Sequence, residues 1–228
     1  MRVASYNVQC FKYGADLEPC LEVLRAVNAD VVGIQELDID SKRCGPGNQL
    51  QKAAEALGYP YWYFAKSIDH RNGQGQYGHG VLSRYPILFA ETVDYAVVGE
   101  KDHDGNRCFA RLVLDVCGKE LCFYNTHLTL DQIGRAAELE QILSVMAKDP
   151  AAVLTGDMNA LPEEIASHVD PARFAMLNPG IPTWPQGESS RKAIDHIIVS
   201  QSLPHSKEIT VFRAECSDHN LIFAEIEV

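Results

Sequence analysis

The sequence predicts an α+β protein in which two packed, mainly antiparallel β-sheets are flanked by helices. Short apolar runs that end in polar or acidic residues recur from one end of the chain to the other. Few segments carry helical spacing, too few for a regular alternating βαβ barrel. The 228 residues, 46% apolar and 22% charged, have ordinary globular composition and the length for one large core, so a single domain over 1–228 is expected.

Taken in order, Arg2 to Val8 reads as a strand, and Leu17 to Val27 has helical spacing at Leu17, Leu21, Leu24 and Val27. Asp30 to Gln35 is a β-branched run typical of a buried strand. Asp38, Asp40, Ser41 and the Gly45-Pro46-Gly47 signal predict a loop over 38–47. Gln49 to Leu57 predicts a helix closed by Gly58, and Tyr59 to Lys66 an aromatic strand. Ser67 to Gly80, with its four glycines, reads as a loop. Val81 to Ser83 and Ile87 to Val93 read as strands interrupted at Pro86, and Phe109 to Cys117 with Leu121 to Thr126 as a hairpin. Gln132 to Ala147 is the best amphipathic helix, with apolar Ile133, Ala136, Ala137, Ile142, Leu143 and Met146. A strand (Ala151 to Thr155), an irregular stretch (Leu161 to Pro185) and two strands (Ala193 to Ser200, Leu221 to Val228) complete the chain, without repeat, low-complexity tract or linker.

The net charge of −11 works against long polyanions, so extended nucleic acid is disfavoured as the main substrate, although a local basic groove remains compatible with it. The seven cysteines show no Cys-x-x-Cys pair. Cys117 and Cys122 could face each other across a hairpin, but small apolar residues in a reduced compartment are the preferred reading. No signal peptide is visible, and no stretch approaches the roughly 18 apolar residues of a membrane span, so a cytoplasmic protein is expected.

The polar residues carry the functional signal. Asn7, Glu36, His127 and Asp157 each follow an apolar strand directly, Asp195 opens another, and Asp218-His219 precede the last. One Asp at a strand end is usually a turn residue; six such positions together are hard to dismiss. With a period of two, Asn125 and His127 share a face, as do Asp157 and Asn159 if the strand continues, so each pair can aim into one cleft. Carboxylates with amide carbonyls suit a hard cation such as Mg²⁺, which offsets charge on a phosphoryl oxygen. An Asp beside an Asn can orient and deprotonate water, and a His beside a carboxylate can act as general acid or hold a phosphoryl oxygen. Such a set points to metal-assisted hydrolysis.

Six segments resemble, in order, the endonuclease/exonuclease/phosphatase superfamily with its DNase I-like fold: Ser5-Tyr6-Asn7-Val8-Gln9, Gln35-Glu36, Asn125-Thr126-His127-Leu128, Gly156-Asp157-Met158-Asn159, Ile194-Asp195-His196-Ile197 and Ser217-Asp218-His219. The resemblance implies a four-layer sandwich and a phosphoester hydrolase using Mg²⁺, with Mn²⁺ as a substitute. It implies that Glu36 is the main metal ligand, with Asn7 and Asp218 near the metal or its waters. Asp157 would position or deprotonate the water, Asn159 hold a phosphoryl oxygen, Asp195 orient His219 on the scissile phosphate, and His127 supply a second imidazole. Arg111 sits where many members place a phosphate-binding arginine. Members that cut abasic DNA often carry an acidic residue where Gln9 stands. The carboxylate that the DNase I branch sets against His127 is missing near Gln76 to Gly80, leaving Tyr77 or a backbone carbonyl as its partner. Trp184 could wall the pocket or belong to the core.

The preferred substrate is a small-molecule or lipid-headgroup phosphoester, with a nuclease and a non-catalytic binding module of the same fold as alternatives. A zinc hydrolase lacks its His-x-His or His-x-x-x-His spacing, and the glycines around 73–80 open no apolar helix of a phosphate-binding loop.

Overall fold

The computed structural model describes residues 1–14, 17–70, 73–96, 107–186 and 190–228. In it the apolar runs pair into two mixed sheets. Numbered in chain order, the first sheet runs β12 (Thr210–Phe212), β13 (Leu221–Glu225), β1 (Arg2–Asn7), β2 (Val31–Ser41), β5 (Gln76–Ser83), β4 (Tyr61–Asp69), and β3 (Gly45–Asn48) pairs with β2. The second runs β10 (Phe174–Met176), β11 (Asp195–Ser200), β9 (Ala152–Asp157), β8 (Lys119–His127), β7 (Cys108–Val116), β6 (Ile87–Asp94). The helices are α1 (Gln9–Gly14), α2 (Glu18–Val27), α3 (Gln49–Leu57), α4 (Gln132–Met146) and α5 (Pro162–Ala166).

Alternation along the central strands builds the layers. On β1, Val3 enters the core between the sheets while Ala4 and Tyr6 turn outward under α2; on β9, Val153 faces inward while Ala152 and Leu154 turn toward α4. Both faces of these strands are covered, which is why they read as continuous apolar runs. Helices α2 and α3 bury Leu21, Leu24 and Leu50 on the outside of the first sheet, and α4 buries Leu139, Ile142 and Met146 on the outside of the second. The result is the expected sandwich, helix on sheet on sheet on helix.

A buried polar network ties the sheets together near the rim. Gln35 Nε2 donates to Asn125 Oδ1 (2.7 Å) and Ser5 Oγ (3.1 Å), and Asn125 Nδ2 donates to the Gly80 and Ile34 carbonyls (2.9 and 3.2 Å). Only glycine fits at position 33: a Cβ there would lie 2.2 Å from Thr155 Oγ1 and 2.4 Å from Asn125 Oδ1. Asn125 therefore faces inward and clamps the sheets, and does not join His127 in the cleft.

Several local expectations are corrected. The segment 38–47 is not a loop, because β2 continues to Ser41 and turns back as β3, with Ile39 opposite Asn48 and Ser41 opposite Gly45. Its charges hid this: Asp38 is buried because Arg43 and Ser41 satisfy its carboxylate. Nor is 67–80 all loop. β4 extends to Asp69 and β5 begins at Gln76, where Gly80 gives α3 room to approach (a Cβ would meet Leu50 Cδ2 at 2.4 Å). The irregular 161–185 stretch contains α5 and β10, and β12 lies in a stretch read as neither strand nor helix.

Helix α4 is present, but its buried stripe differs: Ile133 is 67% exposed while Arg135 and Glu138 are buried. All seven cysteines are free, Cys122 lying opposite Val113 on β7. Among the described residues no helix is long and apolar enough to cross a membrane.

Candidate active site

Each sheet contains a parallel pair, and strand direction at these pairs gathers the polar residues. β1 and β2 run parallel, with Asn7 at the carboxyl-terminal end of β1 and Glu36 inside β2, just past the last residue paired with β1; β8 and β9 run parallel with His127 directly opposite Asp157. β11 is antiparallel to β9, so it begins where β9 ends and sets Asp195 opposite Asp157. β13 is antiparallel to β1, so the Asp218-His219 turn before it reaches the same rim. Carboxyl ends of parallel strands are where open sheets commonly bind ligands.

Irregular backbone aims the side chains. The β2–β5 register shifts between Ile34 and Leu37, and within this bulge Glu36 takes φ +57°, turning its side chain toward the cleft. The strand does not continue to Asn159, as period two would require. β9 stops at Asp157, Asn159 adopts φ +49°, and its N–H donates to Asp157 Oδ1 at 3.0 Å. The two residues meet through this turn, and Asn159 Nδ2 donates to the Leu128 carbonyl at 2.9 Å.

Asp157 is the hub. Its Oδ2 accepts from Asn7 Nδ2 at 2.9 Å and lies 3.5 Å from both His127 Nε2 and His219 Nε2. His219 Nδ1 donates to Asp195 Oδ2 at 2.9 Å, with both side chains buried. The Tyr77 hydroxyl sits 3.5 Å from His127 Nδ1, in the place where a carboxylate was missing.

Burial and neighbouring charges drive these groups apart. Burial pushes the Asp157 carboxyl up to about 7; His219 opposes this and Asp195 adds to it. For His219, burial disfavours the charge, but Asp195 and Asp157 outweigh it and hold the imidazolium to about pH 10. His127 is driven the other way, well below the usual range, by burial and then by the charges of Arg107 and His219. The cleft thus sets a neutral imidazole and an imidazolium on either side of one carboxylate, a separation suited to acid–base work.

These groups line a cleft of roughly 740 Å³ that also holds Arg43, Arg107, Arg135, Trp184 and Lys192. Arg43 is engaged with Asp38 and Arg135 with Glu164. Trp184 walls the cleft, its Nε1 donating to Asp218 Oδ2 at 3.4 Å. Arg111 does not reach the cleft. It lies on β7 facing Asp149, with Nη2 to Oδ1 at 2.8 Å and Nε 3.0 Å from the Tyr124 hydroxyl, because its position on the strand points it toward the α4 side. Arg107, just before β7, does line the cleft, and the sequence reading did not select it.

Two donor sets could receive a cation. Glu36 and Asp218 both line the cleft; burial raises the Glu36 carboxyl, the Asn7 hydrogen bond opposes that, and the Asp218 charge raises it further. A divalent cation would relieve that repulsion, and oxygen donors suit a hard one. Asp157, Asp195 and His219 are a tighter group, with ligand atoms within 4.8 Å of one another, but both His219 nitrogens already face carboxylates. The Glu36–Asp218 set fits better. Asn7 lies beside Glu36 as a donor: its Nδ2 reaches Glu36 Oε1 at 3.0 Å, while its Oδ1 accepts from the Gln9 N–H.

The fold is shared with solved structures of low sequence identity. An endonuclease/exonuclease/phosphatase from Beutenbergia cavernae DSM 12333 superposes with a TM-score of 0.81 at 20% identity, covering 100% of this chain and 71% of that one. The Bacteroides thetaiotaomicron VPI-5482 mannosyl-6-phosphatase Bt3783 gives 0.73 at 17%, covering 100% of both chains. The human Nocturnin catalytic domain gives 0.73 at 18%, covering 100% and 94%. No curated protein sequence matches. The model of the Endonuclease/Exonuclease/phosphatase family, however, matches residues 4–219, nearly the whole chain, and with the six segments meeting at one rim the chain belongs to that family.

Proposed function

We propose that this protein is a Mg²⁺-dependent phosphoester hydrolase acting on a small or lipid-headgroup phosphoester. The observation that carries the reading is Asp157: a buried carboxylate raised to about 7 and set against the His219 imidazolium. A base with that affinity can take a proton from water near neutral pH. Asn159 and Asn7 hold the carboxylate in one rotamer, from either side. Asp195 keeps His219 charged and oriented, so that Nε2–H points to where a phosphoryl oxygen would gather charge. Neutral His127, steadied by Tyr77, offers a second donor, and Arg107 adds positive charge beside it. Glu36 and Asp218 would hold the metal, which supplies charge neutralisation of the phosphoryl group when bound.

The −11 charge and the pairing of Arg43 and Arg135 favour a small ester over nucleic acid. The test is a panel of sugar, lipid-headgroup and nucleotide phosphoesters beside plasmid nicking, with EDTA and then Mg²⁺ or Mn²⁺. Small-ester hydrolysis that EDTA abolishes and Mg²⁺ restores is expected. Full activity in chelator would remove the metal, and efficient nicking at physiological salt would make the protein a nuclease.

A further inference from the structure

Among the described residues, two of the seven exposed large hydrophobic side chains line the cleft, Leu130 (66% exposed) and Leu161 (40%), and a third, Ile133 (67%), follows Leu130 in sequence. Leu130 and Leu161 line the mouth, and Ile133 stands three residues beyond Leu130 in the first turn of α4. The segments that carry them are braced. Arg135 Nη1 donates to the Leu130 carbonyl at 2.9 Å, and its Nε and Nη2 grip Glu164 of α5 at 2.7 and 3.1 Å. Glu138 Oε2 accepts from the Thr129 N–H at 2.8 Å.

The start of α4 thus turns charged Arg135 and Glu138 inward while Ile133 faces water. Hydrophobic burial favours the reverse, so folding alone does not account for the arrangement. The same loop is tied to the Asp157–Asn159 turn through Asn159 Nδ2 and the Leu128 carbonyl, which fixes the leucines relative to the phosphoryl site.

We propose that Leu130, Ile133 and Leu161 form a lip that binds the hydrocarbon chain of an amphiphilic phosphoester whose phosphoryl group lies between His127 and His219. The inference rests on the hydrolase reading and narrows its substrate to acylated or alkylated phosphoesters. Asp131 and Glu163 flank the leucines, and acidic neighbours on a chain of charge −11 disfavour an anionic bilayer surface. The occupant is therefore the substrate's own chain.

The test compares 4-nitrophenyl octyl phosphate with 4-nitrophenyl methyl phosphate, each below its aggregation concentration, in the wild-type protein and in Leu130→Ser/Ile133→Ser/Leu161→Ser. The octyl ester is expected to have a kcat/KM about tenfold higher in the wild type, with the ratio falling close to one in the variant. Because the ratio is internal to each preparation, a loss of active protein does not mimic the result. A wild-type ratio near one, or a ratio unchanged by the substitutions, overturns the proposal. So does co-sedimentation with phosphatidylcholine vesicles without chain-length preference, which would assign the lip to a membrane surface. Calorimetry with octylphosphonate and methylphosphonate in Mg²⁺ separates the two readings. Tighter octylphosphonate binding that the variant loses, with no ester hydrolysed, would keep the lip and reject the hydrolase.

Discussion

Asp157 meets opposing demands at the residue scale. It must be dry to hold a proton near neutral pH, yet a dry carboxylate costs stability when ionised. Its folded affinity for a proton, about 7, exceeds that of the unfolded chain, so the native state retains a proton that the unfolded state releases, and its contribution to stability falls as pH rises toward that value. Asp157→Asn is therefore expected to leave the melting temperature at pH 8 unchanged or raised; a fall of several degrees in a thermal scan would mean that the carboxylate is structural. His219 has the same sign over a higher range. Raised to about 10, its charge stabilises the fold fully below the unfolded histidine value of about 6.5 and is lost as pH rises through about 10. Asp195→Asn should bring the His219 titration seen by NMR to lower pH, with the alkaline limb of activity moving alongside. An imidazole that stays charged to the same pH in the variant would assign its proton affinity to another group.

At the scale of elements, strand direction does most of the assembly. Asn7, His127 and Asp157 could be read as strand ends because apolar runs stop at them, and Asp195 because one begins there; Glu36, read the same way, lies inside β2, which continues to Ser41. What was hidden depends on backbone that periodicity does not encode: the bulge that turns Glu36 and the left-handed turn that brings Asn159 back to Asp157. The choice of arginine was also hidden. Arg107 and Arg111 are four residues apart, 111 − 107, but Asp149 captures Arg111 from a distant loop. Arg111→Ala should lose about 1 kcal/mol of stability with activity within about twofold of wild type, since that ion pair is only partly shielded from solvent. Arg107→Ala should lower kcat/KM by about tenfold or more with little change in melting temperature, as expected for a charge acting on the phosphoryl group. Steady-state kinetics and thermal scans of the two variants, run together, distinguish the assignments; a reversed pattern would restore Arg111 to the site.

Over the whole molecule, a chain of charge −11 still places Arg43, Arg107, Arg135 and Lys192 around one cleft at the rim of a sandwich. The same economy places Asp38 inside the fold. Burial alone would raise it, but Arg43, Ser41 and His70 hold it at about 2, so its stabilising effect is present above the unfolded carboxylate range and fades as pH falls toward 2. Acid titration of wild type and Asp38→Asn should show the steeper loss in the wild type between about pH 4 and 2. The central claim is that Asp157 activates water for metal-dependent phosphoester cleavage. It is tested most directly by the rate of hydrolysis of a 4-nitrophenyl phosphoester in Mg²⁺ by wild type and Asp157→Asn, each shown to be folded. A fall in kcat of about a thousandfold or more is predicted; equal rates would contradict the account.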